Sequence, residues 1–284
     1  MSAIATCWLW MLPLILLMTG GPGRHPSSSV PTSWQAEGST GSDRVFQTGE
    51  ELIYNVSYAS FDIGQVRITM EAESLLDGKK IYRAVAHIDS YKGIPFVDLH
   101  AVYRTTISGD IHSLNFRSRT KKDAQWQQFD YNFDYPAHRI SIQHFPYGST
   151  NVDKRDTLRA DTVYQDGLSL FYFARTKLHS QRTFKIPTLV SEAKGTTTIE
   201  FRGDSVHEEI DAVKYPIDLV HFEGEAGFVG IFGLTGGFEG SFSNDDACVP
   251  VVAKMKVLIG SVRIELMKWR RIGWEPPRAQ ENRR

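Results

Sequence analysis

From Phe46 onward, apolar and polar residues alternate one for one over most of the chain, the period of a half-buried strand. Val66, Ile68, Met70 and Ala72 fall on one face, and Arg67, Thr69, Glu71 and Glu73 on the other. Leu52, Tyr54, Val56 and Tyr58 make a similar face just upstream, and Asp77-Gly78 supplies a tight reversal into a return strand over Ile81 to Ser90. The pattern continues over 97–107, 114–116, 129–142, 183–186, 197–202, 213–222 and a last hairpin over 249–266. Helices do not alternate with these runs, so parallel βαβ units are excluded. The pattern predicts an antiparallel, strongly curved sheet or closed barrel of about eleven to thirteen strands.

One segment departs from this period. Over Asp161 to Ser180, apolar residues recur at Val163, Leu168, Phe171, Ala174 and Leu178, which is helical spacing. Asp161 or Thr162 is the expected N-cap. A helix this apolar in a strand-rich chain is expected on or in the concave side of the sheet. Gly224 to Ser243 is dense in glycine with Phe228, Phe232, Phe238 and Phe242 interleaved, which predicts a strongly curved hairpin, with a mobile flap touching a ligand or a bilayer as the alternative. It lacks the spacing and the Lys-Ser/Thr ending of a phosphate-binding loop.

The ends read differently. Residues 1–18 carry no charge, and the run from Cys7 to Met18 is short and strongly apolar, which suits an export signal ending near residue 21. No basic residue precedes Arg24, so an uncleaved anchor is the alternative to cleavage. Residues 22–44 are rich in Gly, Pro, Ser and Thr and read as a disordered linker. A single β domain over 45–270 follows, and 271–284 reads as a flexible basic tail. Localisation is expected outside the cytoplasm, in a periplasm, with membrane association only through a retained N-terminus. With 32 basic and 33 acidic residues, the balance gives no reason to expect nucleic acid as a partner. Cys7 lies in the signal, which leaves Cys248 alone and no internal disulfide. The nine histidines are scattered, and neither a metal nor a cofactor is expected.

Several blocks in order resemble one family. They are Gly49 to Tyr58 with Gly64 after it, Asp166-Gly-Leu-Ser-Leu-Phe-Tyr-Phe-Ala-Arg175, Ile186-Pro187, Asp245-Asp246 before Val249-Pro250-Val251, and Gly260 to Leu266. Their order and spacing resemble the bacterial exported family called domain of unknown function 3108, over roughly Phe46 to Trp269. Cys248 stands where a polar or basic residue is expected. The resemblance implies an envelope location and a mostly antiparallel β fold, and supplies no activity and no catalytic residues.

Two sets of residues stand out. Phe129, Tyr131, Phe133 and Tyr135 form an aromatic stripe on one strand face, and with Phe171, Phe228 and Phe232 they are candidates for facing a ligand as well as for a packed core. Glu50, Arg175, Asp245 and Asp246 are structural polar candidates, with Arg175 able to pair with one of the acids. Three functions follow. A carrier module would enclose an apolar or lipid-like ligand. A structural or assembly factor would meet a protein partner of the envelope through its surface, for example at a strand edge near Ile186-Pro187. A hydrolase would draw on Ser169, His207, His221, Asp245 or Asp246, but no nucleophile-elbow or Ser-x-x-Lys motif supports it.

Overall fold

The structure is a computed structural model that describes residues 42–94, 98–122, 124–227, 236–256 and 260–280. The signal segment, most of the linker, Phe228 and Phe232 lie outside the described residues. The chain enters through a short helix α1 (Ser42–Val45) and continues through β1 (Glu51–Tyr58), β2 (Phe61–Leu76), β3 (Lys79–Ser90), β4 (His100–Ser108), β5 (Ser113–Lys122), β6 (Gln125–Asp134), β7 (Arg139–Phe145) and β8 (Lys154–Arg159). Helix α2 (Gly167–Lys177), prolonged by a 3₁₀ turn over Leu178–Ser180, comes next. Then follow β9 (Thr183–Val190), β10 (Ala193–Glu208), β11 (Ile217–Ala226), β12 (Gly236–Ser243), β13 (Pro250–Lys256) and β14 (Ser261–Arg270).

All fourteen strands join one sheet in the order β8-β7-β6-β5-β4-β3-β2-β1-β14-β13-β12-β11-β10-β9. The alternation decides which face each strand buries. In β1, Leu52, Tyr54 and Val56 are buried while their neighbours are half-exposed. The β2–β3 hairpin turns at Asp77 (φ 50°) and Gly78 (φ 75°), the two positive-φ positions of a type I′ turn. Register shifts interrupt the β1–β14, β1–β2, β2–β3, β4–β5, β10–β11 and β12–β13 ladders. Each such bulge adds local twist, so together they curl the sheet.

The sheet does not close by hydrogen bonds, yet its ends meet. Leu189 of β9 packs in one buried cluster with Ile140 and Ile142 of β7 and Tyr131 and Phe133 of β6. Residues Ala160 to Asp166 run along this seam. Gln165 N–H donates to the Pro187 carbonyl (2.9 Å), Leu189 N–H to the Gln165 carbonyl (2.9 Å), and Ser113 N–H to the Tyr164 carbonyl (3.0 Å). Ion pairs Lys194–Asp161 (3.1 Å) and Lys154–Glu192 (3.7 Å) cross it. Pro187, which cannot donate to a second neighbour, lies in the outer strand β9, the position where sheets tolerate proline.

Four details differ from the sequence reading. Helix α2 is capped by Asp166, not by Asp161 or Thr162; the residues before it are spent on the seam, and Val163 points outward at 47% exposure. The strand count is fourteen among the described residues, because β8, Lys-Arg-Asp-Thr-Leu-Arg, has no apolar alternation and is held by its ladder to β7. The strand expected over 213–222 is Ile217–Ala226, after turns at 211–212. Residues 271–280, expected as solvated tail, pack back on the sheet: Trp274 is buried, Asp218 N–H donates to the Pro277 carbonyl (2.8 Å), and Ala279 N–H to the Pro216 carbonyl (2.9 Å).

Close approach also fixes Gly240 in β12. A Cβ there would lie 2.5 Å from the Val252 carbonyl oxygen and 2.8 Å from the Phe222 ring. Gly240→Ala is therefore expected to destabilise the fold by about 1–3 kcal/mol in a urea titration, the range of an overpacked core.

Candidate functional site

Helix α2 buries Leu168, Tyr172 and Arg175, which are spaced four and three residues apart and so share one face. That face looks into the sheet. Leu168, Tyr172, Ala174 and Leu178 belong to the same buried cluster as Leu52, Tyr82 and Ile107 from one half of the sheet and Ile199, Phe201 and Val251 from the other. The Phe46 ring wedges in beside them, stacked at 4.0 Å on Tyr82 and 5.2 Å on Tyr172. Because Arg175 shares this inward face it cannot reach water, and its side chain is 0% exposed.

A guanidinium in that position needs acceptors on every edge. Glu50 supplies two: Nη1 donates to Oε1 at 2.6 Å and Nη2 to Oε2 at 2.9 Å. The carbonyls of Ala247 (2.9 Å from Nη2) and Cys248 (3.1 Å from Nε) supply the rest. The Tyr172 and Phe171 rings lie 5.5 and 5.7 Å from the guanidinium carbon. Glu50 is itself fixed by the backbone, with Met70 N–H donating to its carbonyl (2.9 Å) and Gly49 N–H to the Met70 carbonyl (2.8 Å). Arg271 is a second cation on the same carboxylate: its Nη1 donates to Glu50 Oε2 and to the Val45 carbonyl (3.1 Å), and its Nη2 to the Arg44 carbonyl. One carboxylate thus ties together the entry of β1, helix α2, the 244–249 loop and the segment after β14.

Asp245 shapes the loop that presents those two carbonyls. Its Oδ1 accepts from Ser243 Oγ (2.8 Å), Ala247 N–H (3.0 Å) and Cys248 N–H (3.1 Å), and its Oδ2 from Trp274 Nε1 (2.7 Å). Asp246 stands apart at the surface, paired with Arg44 at 2.7 Å where both side chains are well exposed. Of the four polar candidates the fold therefore joins Glu50 to Arg175, puts Asp245 one step behind them, and leaves Asp246 outside. Burial pushes the Cys248 thiol up to about 12, so it stays protonated at neutral pH and its sulfur donates weakly to the Asp245 carbonyl (3.2 Å).

A second buried centre sits at the other end of α2. The Asp166 carboxylate is fully buried; Oδ1 accepts from Leu168 and Ser169 N–H (2.8 Å each), and Oδ2 from Thr105 Oγ1 and Ser113 Oγ (2.6 Å each). Ser169 Oγ returns an acceptor to Asp166 N–H (2.9 Å), which completes a capping box. Burial raises the Asp166 pKa, and the four donors pull it partly back. Ser169, a candidate nucleophile by residue type, is occupied in this cap.

The aromatic candidates are spread over both cores. Tyr131 and Phe133 are buried in the smaller cluster, and Phe129 stacks on His144 at 4.4 Å. The Tyr135 hydroxyl donates to the Ser113 carbonyl (2.8 Å) and accepts from Tyr164 N–H (3.2 Å). Phe171 lies edge-on to Tyr172 at 5.2 Å. Among the described residues, no group of three His, Cys, Asp or Glu side chains is placed to hold a metal ion, and no helix is long and apolar enough to cross a membrane.

The family model for proteins of unknown function DUF3108 matches residues 53–267. The chain belongs to this family. The matched span runs from β1 to β14 and takes in α2, so the buried Arg175 lies inside the DUF3108 region, with Glu50 and Arg271 just beyond its ends. No curated protein matches the chain. Among solved structures, a β-barrel-like protein of the domain of unknown function DUF1849 from Brucella abortus superposes with a TM-score of 0.52 at 11% identity, covering 78% of this chain and 97% of that one. At that identity the likeness shows the fold alone. A protein described as exported, with a YmcC-like fold, from Bacteroides fragilis aligns with a TM-score of 0.33 at 8% identity over 79% and 97% of the two chains.

Two outcomes check these centres. Burial alone would raise the Glu50 pKa, but Arg175 and Arg271 outweigh it and hold the carboxyl below its ordinary range. Its contribution to stability is then full above the unfolded value of about 4.3 and disappears as pH falls through the lower folded value. Glu50→Gln, which strands two buried cations, is expected to cost about 3–5 kcal/mol at neutral pH, and chemical denaturation should show the gap from wild type shrinking in acid. Asp166→Ala should cost about 2–4 kcal/mol through the lost cap and the stranded hydroxyls, whereas Thr162→Ala, the cap expected from sequence, should stay within about 0.5 kcal/mol.

Proposed function

We propose that this DUF3108 protein is an exported, non-catalytic factor of the cell envelope that acts through its surface. The observation that supports this most directly is the position of α2. A carrier of apolar ligands encloses its cargo within the curved sheet, and here Leu168, Tyr172, Ala174 and Leu178 occupy the core that both halves of the sheet share. Moving the helix aside would break the Arg175–Glu50 link and leave the buried Glu50 carboxylate without that partner, a motion that costs several kcal/mol. Hydrolysis finds little support in the arrangement, since Cys248 is held as a thiol and Ser169 is committed to the Asp166 cap. Export rests on the uncharged apolar run at Cys7 to Met18 and the Gly/Ser-rich segment behind it.

Native mass spectrometry of the full chain recovered from its own envelope is the test. The expected spectrum carries the polypeptide mass alone, with a truncated N-terminus if the signal is cleaved. A stoichiometric acyl-chain or lipid adduct that survives gentle ionisation and is released on unfolding would overturn the surface-acting reading in favour of a carrier.

A further inference from the structure

The ladders align polar side chains on the outer face of β3 to β7. Cross-strand partners Thr106–Asn115, Asn115–Asn132 and Asn132–Ser141 run side by side across four strands, and Arg83 continues the rank on β3 opposite Thr106. In the adjacent rank Arg104 stands opposite Arg117, and Arg117 opposite Asp130. All of these side chains line one cleft with a volume of about 550 Å³. The alternate residues on the same strands, Thr105, Phe116 and Tyr131, turn inward to the cores.

Folding does not account for this composition. Asparagine is depleted in strands, yet Asn115 and Asn132 are paired in the middle of the sheet. Like charges directly opposite each other are unfavourable, yet Arg104 faces Arg117. Each of these arginines has an acid at 2.7 Å, Glu71 and Asp130 respectively, in exposed pairs that contribute little to stability. Arg83 has no ion-pair partner, and the side chains of Thr106, Asn115, Asn132 and Ser141 make no hydrogen bond within the protein among the described residues. Arg119 on β5 and Arg155 on β8 extend the same outward ranks, so the face is locally cationic in a chain whose net charge is −1.

We infer that this outer cleft binds an acidic glycan, a sugar chain bearing carboxylate or phosphate groups. Arg83, Arg104 and Arg117 take the acid groups, for which the guanidinium fork is the matching donor. The rank of hydroxyl and amide side chains offers both donors and acceptors to sugar hydroxyls. A protein partner would need aromatic or aliphatic anchors, and a single-stranded nucleic acid would need aromatic stacking platforms. The outward side chains that line the cleft are polar or charged; Phe116 and Tyr131, which also border it, turn toward the cores, and the outward ring of Trp126 lies under Arg119 (4.7 Å), beyond the cleft lining. The inference goes beyond the surface-acting reading, which stands or falls separately on the adduct-free mass.

Calorimetric titration of the full chain with an oligogalacturonate (carboxylate), a phosphorylated oligomannose (phosphate), neutral maltohexaose and a single-stranded DNA oligomer tests it. Binding of at least one acidic glycan, with maltohexaose and DNA weaker, is expected, and the stronger of the two glycans identifies the acid. Arg83→Ala with Arg117→Ala should weaken it by roughly tenfold or more. Asn115→Ala with Asn132→Ala should weaken it severalfold without any change of charge, and unchanged melting curves would show that both double variants are folded. Binding to neither acidic glycan would overturn the inference. So would DNA binding as tight as the glycan, or a glycan affinity indifferent to the asparagine pair, since either marks attraction by charge alone.

Discussion

A guanidinium shut away from water must be matched by a carboxylate, and the arrangement of this chain follows from how Arg175 meets that need. Its place on the inward face of α2 is set by the spacing of Leu168 and Tyr172. Its partner, Glu50, stands at the entry of β1, 125 residues earlier. Joining them brings β1, in the interior of the sheet, to the helix that connects the two outermost strands β8 and β9, and Arg271 draws the segment after β14 to the same carboxylate. A buried ion pair of this kind adds little net stability against an apolar alternative but penalises every arrangement that separates the charges. It therefore selects one way of seating α2 within the curl.

Seating the helix in turn decides how the sheet ends. An up-and-down sheet of this order could close by pairing β8 with β9, but the chain between those strands is the segment that leads into α2. Residues 160–166 occupy the seam, and Gln165 borrows one ladder position on β9 from each direction. The remaining contact across the seam is made by side chains: Leu189 against Ile140 and Ile142, and the lysine–carboxylate pairs above them. The outer strands are thereby covered without the ladder that would complete a barrel, which is a recognised way of protecting sheet edges.

With the concave side occupied by α2, the proposed surface-acting reading draws on the outer face. At the two buried polar centres the Glu50 and Asp166 carboxylates and the Arg175 guanidinium have their acceptors and donors matched internally and serve the placement of α2. The outer face of β3 to β7 is different in kind: Arg104 and Arg117 are paired only with exposed acids, and the side chains of Thr106, Asn115, Asn132 and Ser141 are ranked by register without hydrogen bonds to the described residues.

Much of the fold is legible in the residues themselves. Alternation at Leu52–Tyr58 and Val66–Glu73 identifies strands and their buried faces, Asp77-Gly78 marks its hairpin, and the recurrence from Leu168 to Leu178 identifies helix α2, because period and turn chemistry are local properties. Pairing of Arg175 with an acid is foreseeable from an arginine inside an apolar helix, although its choice of Glu50 over Asp245 is not. Strand β8 could not be read, since its charged residues are held by β7 rather than by burial. Arg271 and Trp274 were hidden in a tail that looks solvated by composition and is packed only because the sheet brings Glu50 and Asp245 beneath it. The outer ranks were invisible for the same reason: Arg83, Thr106, Asn115, Asn132 and Ser141 are scattered in sequence and become neighbours through register. The sequence by itself determined the elements and their apolar faces, which depend on residues a few positions apart. Only the tertiary structure decided the seam, the cap at Asp166, the three-residue charge cluster and the outer cleft, because each depends on bringing together groups separated by tens to hundreds of residues.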